Sequence, residues 1–281
     1  MFVFLNGAFV AESEAKVSIM DRGFLYGDGL FETLRVYRGA PFRWNAHLRR
    51  LHHGLGELGV TAPLKDAELR DAADELIARN NAAESILRIQ ITRGPGRRGY
   101  ASAGAVQPTI VMTTHPAPPV SPSPPLWTLI ASQFRVQSGN RLNCTKSSNK
   151  LINVLAKDEA AQKGADESLL LNERDEVVES TSANVFWIKG DAVCTPPLSS
   201  GALPGVTRDV VMEICESLQI SLREQDGKLA ALHAADGVFL TLSSWEVVEA
   251  SSIDGASLNR SQLPGRLFAA YRDVVDRETP A

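Results

Sequence analysis

A proline-rich segment divides this 281-residue chain. Between His115 and Pro125 lie six of its 15 prolines, and such a run favours an extended conformation that joins neither a helix nor the interior of a sheet. We therefore predict a small N-terminal domain at residues 1–115, a linker at 116–125 and a larger C-terminal domain at 126–281. The length of the chain also suggests about two domains.

Composition and charge exclude several classes of partner. The formal net charge of -4 provides no electrostatic footprint for nucleic acid. The segment Met1–Gly7 has no basic leader, and no stretch is apolar for long enough to span a membrane, so we expect a cytoplasmic protein without a membrane partner. Cys144, Cys194 and Cys215 are odd in number and widely separated, which argues against a disulfide framework and a zinc cluster. No metal is expected.

Turn signals and hydrophobic periodicity predict a mixed α/β chain. Asn6-Gly7 and Arg38-Gly39 indicate two hairpins, because both turn positions favour positive φ. Three glycines within seven residues, at Gly23, Gly27 and Gly29, imply that the backbone there approaches another group closely. Asn45 is the predicted N-cap of a helix that ends at Leu58. Further helices are predicted at 66–79, 205–218 and 262–276, and further strands at 85–92, 109–114, 126–134, 167–171, 176–179 and 238–242.

Lys146 stands immediately ahead of another predicted amphipathic helix. Leu151, Val154 and Leu155 recur at helical spacing on its apolar face, and Glu159 is predicted to face water. A lysine at such a boundary can project into a cavity, and its amine can form a Schiff base with a carbonyl group. Most lysines are solvated surface charges, however, so this residue taken alone favours the surface.

Other candidate residues also have ordinary structural explanations. Arg50 lies on the flank of the first long helix, where it either faces water or donates charge-assisted hydrogen bonds to a phosphate. Glu179, taken alone, is a charge at the end of a predicted strand. The helix start at Gly205–Thr207 offers unpaired N–H groups to an anion, as any helix start does.

The segment Arg93–Tyr100 fits the spacing of a dinucleotide-binding fingerprint, with glycines at positions 94, 96 and 99. That fingerprint requires a helix to open directly afterwards and an acidic residue to bind the ribose. Pro95 and the residues after Tyr100 show no helical period and no such acid, so we reject the nucleotide interpretation.

Five segments in order together resemble the class IV aminotransferases. These are pyridoxal 5'-phosphate (PLP) enzymes that include D-amino-acid and branched-chain aminotransferases and aminodeoxychorismate lyase. The segments are residues 21–33, 47–51, 145–160, 179–186 and 203–209. The resemblance implies fold type IV, with a small N-terminal α/β domain, a larger C-terminal barrel-like β domain with helices, and a homodimer.

The resemblance also implies roles for individual residues toward PLP. Lys146 is the lysine that binds the cofactor covalently, and Glu179 keeps the ring nitrogen protonated. The residues assigned to the cofactor phosphate are Arg50, Val206, Thr207 and Ser243. Relatives carry various side chains at Lys150, which in this chain is predicted to touch the cofactor phenolate or a substrate carboxylate.

The segment Arg93–Tyr100 further resembles a loop that borders the substrate site of aminodeoxychorismate lyases. This implies that Arg97, Arg98 and Tyr100 bind carboxylates of a small-molecule amine substrate. At Phe31 the D-amino-acid aminotransferases carry a tyrosine that helps bind the substrate carboxylate, and this chain lacks that hydroxyl. We rank the lyase of folate biosynthesis, which yields 4-aminobenzoate and pyruvate, first. An aminotransferase for D- or branched-chain amino acids and 2-oxo acids is the alternative, and a non-catalytic PLP-binding relative is the third interpretation.

Overall fold

The computed structural model describes residues 1–105 and 107–280, which form two compact units. The first contains Met1–Pro118, Thr145–Asn149 and the C-terminal residues from Val275, and the second contains Pro119–Cys144 and Lys150–Val274. The boundary after Pro118 falls within the proline-rich segment. The lysine segment Thr145–Asn149 groups with the first unit, although it follows that boundary in the chain. The domain limits 1–115 and 126–281 stay a prediction from the sequence.

The first unit is built on one antiparallel sheet. Its elements are strands β1 (Phe2–Leu5), β2 (Ala8–Ala11), β3 (Gly29–Tyr37), β4 (Ala40–Pro41), β5 (Ser85–Thr92) and β6 (Thr109–Pro116), and helices α1 (Arg22–Tyr26), α2 (Trp44–Leu58) and α3 (Asp66–Arg79). The strand order is β2-β1-β6-β5-β3-β4, with every neighbouring pair antiparallel. One apolar core contains side chains from β3, β5, α2 and α3, among them Leu34, Leu51, Leu76 and Ile89.

Both predicted hairpins are confirmed. Asn6 and Gly7 have φ values of 50° and 93°, and Arg38 and Gly39 have values of 51° and 83°, the left-handed conformations that such tight turns require. The predicted N-cap of α2 is wrong. Arg43, with φ 54°, takes that position, so the helix begins at Trp44 without a side-chain cap.

The second unit contains a curled nine-stranded sheet. Its elements are strands β7 (Leu126–Val136), β8 (Glu167–Asn172), β9 (Val177–Ser180), β10 (Asn184–Lys189), β11 (Ala192–Thr195), β12 (Ser221–Glu224), β13 (Gly237–Leu242), β14 (Glu246–Ile253) and β15 (Ala256–Ser257), and helices α4 (Leu151–Gln162), α5 (Val206–Ser217), α6 (Leu229–His233) and α7 (Leu263–Glu278). The last residues of α7 group with the first unit. The strand order is β12-β11-β10-β13-β14-β7-β8-β9, and β15 pairs with β14.

This sheet is mixed. β11 and β12, β14 and β7, and β7 and β8 run parallel, whereas the other neighbours run antiparallel. Apolar side chains from neighbouring strands, including Leu129, Leu169, Val185 and Leu240, form its core. The predicted mixed α/β class, with a barrel-like β unit as the larger part, is confirmed. Every helix in the described part of the chain is too short or too polar to cross a membrane.

The predicted orientation of α4 is wrong. Leu151 is 70% exposed, while only the small residues Ala156 and Ala160 of this helix are buried. Glu159, which was expected to face water, accepts a hydrogen bond of 2.9 Å from Ser132 Oγ on β7. Alanines permit a close approach between a helix and a sheet, so packing selected the small side chains rather than the larger apolar ones.

Candidate active site

The lysine segment lies along the start of β3 in the first unit. The Phe31 N–H donates to the Lys146 carbonyl at 2.9 Å, and the Ser148 N–H donates to the Gly29 carbonyl at 2.9 Å. Gly27 has φ 65°, and a Cβ at this position would lie 2.5 Å from Asn149 Oδ1. The close backbone approach predicted from the glycines is therefore confirmed. Main-chain hydrogen bonds at Lys146 and Ser148 hold the lysine segment against β3.

The buried carboxylate of Glu32 binds two basic side chains of this unit. One is Arg50, a predicted site residue, and the other is His47. Glu32, 1% exposed on β3, accepts hydrogen bonds from Arg50 Nε at 2.8 Å and from Arg50 Nη2 at 2.6 Å. His47 Nδ1 lies 2.7 Å from the same carboxylate. Burial alone raises the pKa of Glu32, but the charges and hydrogen bonds of Arg50 and His47 outweigh it and hold the pKa at about 2. Glu32 therefore stays ionised and fixes the direction of the Arg50 side chain.

His47 is a buried histidine whose net pKa is lowered. Burial is the main cause, because it disfavours the charged imidazolium. The neighbouring Glu32 acts in the opposite direction, while the positive charges of Arg50 and Lys146 lower the pKa further. The influence of the Lys146 charge indicates that the lysine amine, His47 and Arg50 belong to one electrostatic cluster. The lowered pKa keeps His47 mainly neutral at neutral pH.

This lowered pKa predicts a loss of stability in mild acid. As pH falls below 6.5, His47 becomes protonated in the unfolded chain but stays neutral to lower pH in the folded chain. The free energy of unfolding therefore decreases as pH falls below that value. The slope for one proton is at most about 1.4 kcal/mol per pH unit. In His47→Gln, we expect the thermal midpoint to fall less between pH 7 and pH 5 than it does in the wild type.

Circular dichroism at the two pH values measures the difference. Titration of Glu32 does not obscure this difference, because its pKa is ordinarily 4.5 and is about 2 in the folded protein, both below pH 5. His52→Gln is the control, because His52 pairs with Asp66 at a surface position. An equal acid shift in the wild type and in His47→Gln would contradict the assignment.

Arg88 is a candidate site residue that was not predicted from the sequence. It lies on β5, its guanidinium carbon is 4.0 Å from the ring centroid of Phe31, and Lys146 Nζ is 4.9 Å from the same centroid. Burial lowers the pKa of Arg88, and in the described part of the chain it has no acidic partner. The signal in the sequence was a basic residue on the polar face of a strand whose other face, at Leu87 and Ile89, is fully buried.

The predicted substrate loop lies at the surface of the same unit. Arg97, Arg98 and Tyr100 are exposed, Tyr100 to 90%. The Tyr100 ring lies 5.7 Å from that of Tyr26, at the end of α1. Neither Arg97 nor Arg98 has an acidic partner among residues 1–105 and 107–280. The loop therefore presents two uncompensated positive charges to solvent.

The second unit connects Glu179 to the start of α5. Glu179 Oε2 accepts a hydrogen bond of 3.0 Å from the Leu203 N–H, and Asn184 Nδ2 donates one of 2.9 Å to the Leu203 carbonyl. A Cβ on Gly205, the N-cap of α5, would lie 1.9 Å from Asn184 Oδ1. Only glycine permits this approach. Glu179 and Asn184 thus hold the main chain of Leu203 through its N–H and its carbonyl, just ahead of the helix start.

The start of α5 has the donors that a phosphate requires. No side chain caps the helix, and Thr207 at its first turn is buried. Thr241 Oγ1 on β13 is a buried hydroxyl without a hydrogen-bond partner in the described part of the chain, and Ser243 lies in the turn that follows this strand. Ser148 Oγ, beside the lysine segment of the first unit, is likewise buried and unpartnered there. Within the second unit, the hydroxyls of Thr207, Thr241 and Ser243 and the N–H groups at the start of α5 fit a polar ligand with a phosphate.

Comparisons with known proteins identify the family of this chain. Residues 29–253 match the family model of class IV amino-transferases. The chain belongs to the class IV aminotransferase family. Members of this family are PLP-dependent transaminases or lyases, so the predicted class of enzyme and its cofactor are confirmed.

Three relatives of this chain are named for different activities. A Methanocaldococcus jannaschii protein, provisionally assigned as a branched-chain-amino-acid aminotransferase, is 36% identical over 98% of this chain and 96% of its own. The D-alanine aminotransferase of Bacillus licheniformis is 33% identical over 95% of this chain and 93% of its own. The crystal structure of 4-amino-4-deoxychorismate lyase from Pseudomonas aeruginosa has a TM-score of 0.86 at 30% identity and covers 98% of this chain and 99% of its own. Fold type IV is thereby confirmed.

Proposed function

We propose that this enzyme is a 4-amino-4-deoxychorismate lyase that releases 4-aminobenzoate and pyruvate. The observation that carries the proposal is a set of arginines without acidic partners. Arg22 and Arg93 pair with Asp28, and Arg50 pairs with Glu32. Arg88, Arg97 and Arg98 have no acidic partner in the described part of the first unit, and the other arginines of that unit without one are the exposed Arg49 and Arg277.

Unpaired arginines are expensive where they are desolvated, because a buried guanidinium requires an anion or several acceptors. Arg88 is half-buried beside Phe31 and Lys146, and its Nη2 donates to the neutral Gln90 Oε1 at 3.2 Å. This contact does not compensate its charge, so an anionic group of the substrate is its natural partner. Aminodeoxychorismate brings two carboxylates and therefore needs more than one cation. Arg98 on the exposed loop supplies a second, with Arg97 and Tyr100 beside it.

The proposal assigns a role toward PLP to each of the following residues. Lys146 would bind PLP covalently, and Glu179 would keep its ring nitrogen protonated. Lys150, half-buried at the start of α4, would contact its phenolate or a substrate carboxylate. The phosphate ligands are Arg50, Val206, Thr207 and Ser243. When bound, PLP supplies the electron sink that stabilises negative charge on the substrate carbon next to nitrogen.

Lys146 performs the proton transfer in this mechanism. With PLP and substrate bound, its free amine would remove the proton from the substrate carbon that carries nitrogen. Phe31 covers one side of the lysine with an apolar ring, which limits access of water to the amine. Glu32, His47 and Arg50 keep the electrostatic surroundings of that amine fixed.

Aminotransfer is the second candidate function, and the relatives favour it. The Methanocaldococcus jannaschii and Bacillus licheniformis proteins named above are assigned to branched-chain and D-alanine aminotransfer. For such a substrate, Arg88 alone suffices for the single carboxylate, and Arg97 and Arg98 are left for a dicarboxylic 2-oxo acid. Lys146, Arg50 and Glu179 keep the same roles.

We expect the purified enzyme, given aminodeoxychorismate, to release 4-aminobenzoate and pyruvate together without an added 2-oxo acid. Arg98→Ala is expected to lose roughly tenfold or more in kcat/KM for this substrate, because it removes a charge-assisted hydrogen bond. Fluorescence of aminobenzoate and a coupled pyruvate assay measure both products.

Arg49→Ala is the control for loss of positive charge, because Arg49 is exposed on α2. The lyase proposal is wrong if no aminobenzoate forms while alanine, glutamate or a branched-chain amino acid reacts only when 2-oxoglutarate or pyruvate is added. That result identifies an aminotransferase.

We further propose that the enzyme acts as a homodimer, as the family resemblance implies. Each unit exposes large apolar side chains, with Ile19 at 76% and Phe24 at 74% in the first unit and Leu151 at 70% in the second. Exposed apolar groups in such number favour burial against another chain, and a second copy is the commonest partner.

A further inference from the structure

Arg22 is a buried arginine that binds the main chain of the substrate loop, defined here as residues 97–101. Its side chain is 5% exposed at the start of α1. Nη1 donates to the carbonyls of Gly99 at 2.9 Å and Ala101 at 3.2 Å, and Nη2 donates to the Tyr100 carbonyl at 3.1 Å. Three consecutive carbonyls thus accept hydrogen bonds from one guanidinium group.

Asp28 holds this guanidinium in place from the other side. Arg22 Nε donates to Asp28 Oδ2 at 2.8 Å, and Arg93 Nε donates to the same oxygen at 2.8 Å. Burial raises the pKa of Asp28, but hydrogen bonds and charge from Arg93 and Arg22 outweigh it and keep the pKa below its ordinary value. The carboxylate therefore stays ionised, and the planar fork of Arg22 is aimed at the loop.

Further contacts from the same helix reach the loop and the residues before it. The Tyr26 hydroxyl accepts a hydrogen bond of 2.9 Å from the Gly99 N–H, and the Arg22 guanidinium carbon lies 4.9 Å from the Tyr26 ring centroid. The Arg22 N–H donates to the Gly94 carbonyl at 3.0 Å. The loop has no strand or helix of its own, so side chains of α1 provide its main-chain hydrogen bonds.

We propose that Arg22 is a positioning residue for substrate binding. It fixes the backbone at 99–101 and thereby sets the direction in which Arg98 and Tyr100 face the substrate carboxylate. The inference rests on the proposed substrate role of this loop. Arg22 itself stays buried and contacts the carbonyls rather than the substrate. Lysine is no substitute, because an ammonium group lacks the planar fork that reaches neighbouring carbonyls and Asp28 together.

Arg93 provides a matched control within the same cluster. It binds the same Asp28 oxygen and donates to the carbonyls of Leu58 at 2.7 Å and Gly59 at 3.2 Å, at the end of α2. Arg93→Met therefore removes an ion pair with the same carboxylate and a similar number of main-chain hydrogen bonds. It leaves the contacts to residues 99–101 intact.

Limited proteolysis of the holoenzyme tests the loop without measuring activity. Trypsin cleaves after arginine, and cleavage after Arg97 or Arg98 requires the loop to open locally. We expect Arg22→Met to be cut there roughly tenfold faster or more than wild type, since several hydrogen bonds that resist opening are lost. Arg93→Met is expected to be cut at the wild-type rate. Mass spectrometry identifies the bond, and equal rates in Arg22→Met and wild type would overturn the proposal.

Steady-state kinetics then test the link to substrate. We expect Arg22→Met to raise KM roughly tenfold at nearly unchanged kcat and unchanged PLP absorbance, because the loss affects substrate binding alone. Tyr26→Phe, which removes one hydroxyl, should raise KM in the same direction by less, and Arg22→Lys should not restore it. Faster cleavage with an unchanged KM would overturn the role in substrate binding.

The substrate used is the one that wild type turns over, aminodeoxychorismate or an amino acid with a 2-oxo acid. A wild-type enzyme without lyase activity therefore refutes the lyase proposal and leaves this test intact. If Arg22→Met does not fold, the cleavage rate and KM are measured on Tyr26→Phe instead. If neither value changes in that variant, the inference is wrong.

Discussion

Lys146→Ala is expected to lose covalent cofactor binding and to reduce kcat by about 10²–10⁴-fold or more, the usual contribution of a positioned acid–base group. The reason lies in the geometry of the first unit. The main chain at Lys146 and Ser148 is hydrogen-bonded to β3, and the lysine amine lies 4.9 Å from the Phe31 ring centroid within the electrostatic cluster of Arg50 and His47. No other side chain is assigned to this proton transfer.

Borohydride reduction of the purified protein measures the covalent bond directly. We expect the label on the peptide that contains Lys146, and we expect Lys146→Ala to stay unlabelled. Lys150→Ala is the matched control, since it removes a lysine only four positions further along the chain and should still be labelled. A label on Lys150 in wild type would overturn the assignment.

The sequence predicted those features that depend on neighbouring residues. Asn6-Gly7 and Arg38-Gly39 form the expected hairpins because their conformation is a local requirement. The glycine at position 27 was expected to mark a close approach, and its neighbour is Asn149. The apolar pattern of the sequence was sufficient to predict strands β5, β8 and β13, because most or all of their residues are buried. The proposed roles of Lys146, Arg50 and Glu179 were predicted from the segments that resemble the family.

The remaining features depend on residues that are distant in sequence. Glu32 and His47 form a cluster with Arg50 only because α2 packs beside β3, although the i, i+3 spacing of His47 and Arg50 already places them on one helix face. The grouping of Thr145–Asn149 with the first unit is likewise set by hydrogen bonds to β3. The orientation of α4 followed from close packing of Ala156 and Ala160, which the period of Leu151 and Leu155 does not reveal.

Arg50→Ala is expected to have two separable effects, because Arg50 is proposed to bind the PLP phosphate and is also the main partner of Glu32. Loss of a charge-assisted hydrogen bond of about 1.5–3 kcal/mol should weaken PLP affinity roughly tenfold to over a hundredfold. The same change leaves the Glu32 carboxylate, which is 1% exposed, without its arginine, and breaking a buried pair in this way costs about 3–5 kcal/mol of stability.

The double variant Arg50→Ala/Glu32→Gln separates the two effects. Neutralising residue 32 removes the buried, unpaired charge, so most of the lost thermal stability should return while PLP affinity stays low. Titration of the apoenzyme with PLP and thermal unfolding of the apoenzyme measure the two quantities independently. Arg49→Ala, at an exposed position next in the helix, should change neither. If PLP affinity recovers together with stability, Arg50 acts only through the integrity of its ion pair with Glu32. If PLP affinity is unchanged in Arg50→Ala, the phosphate is bound by other residues, and the start of α5 then becomes its principal site.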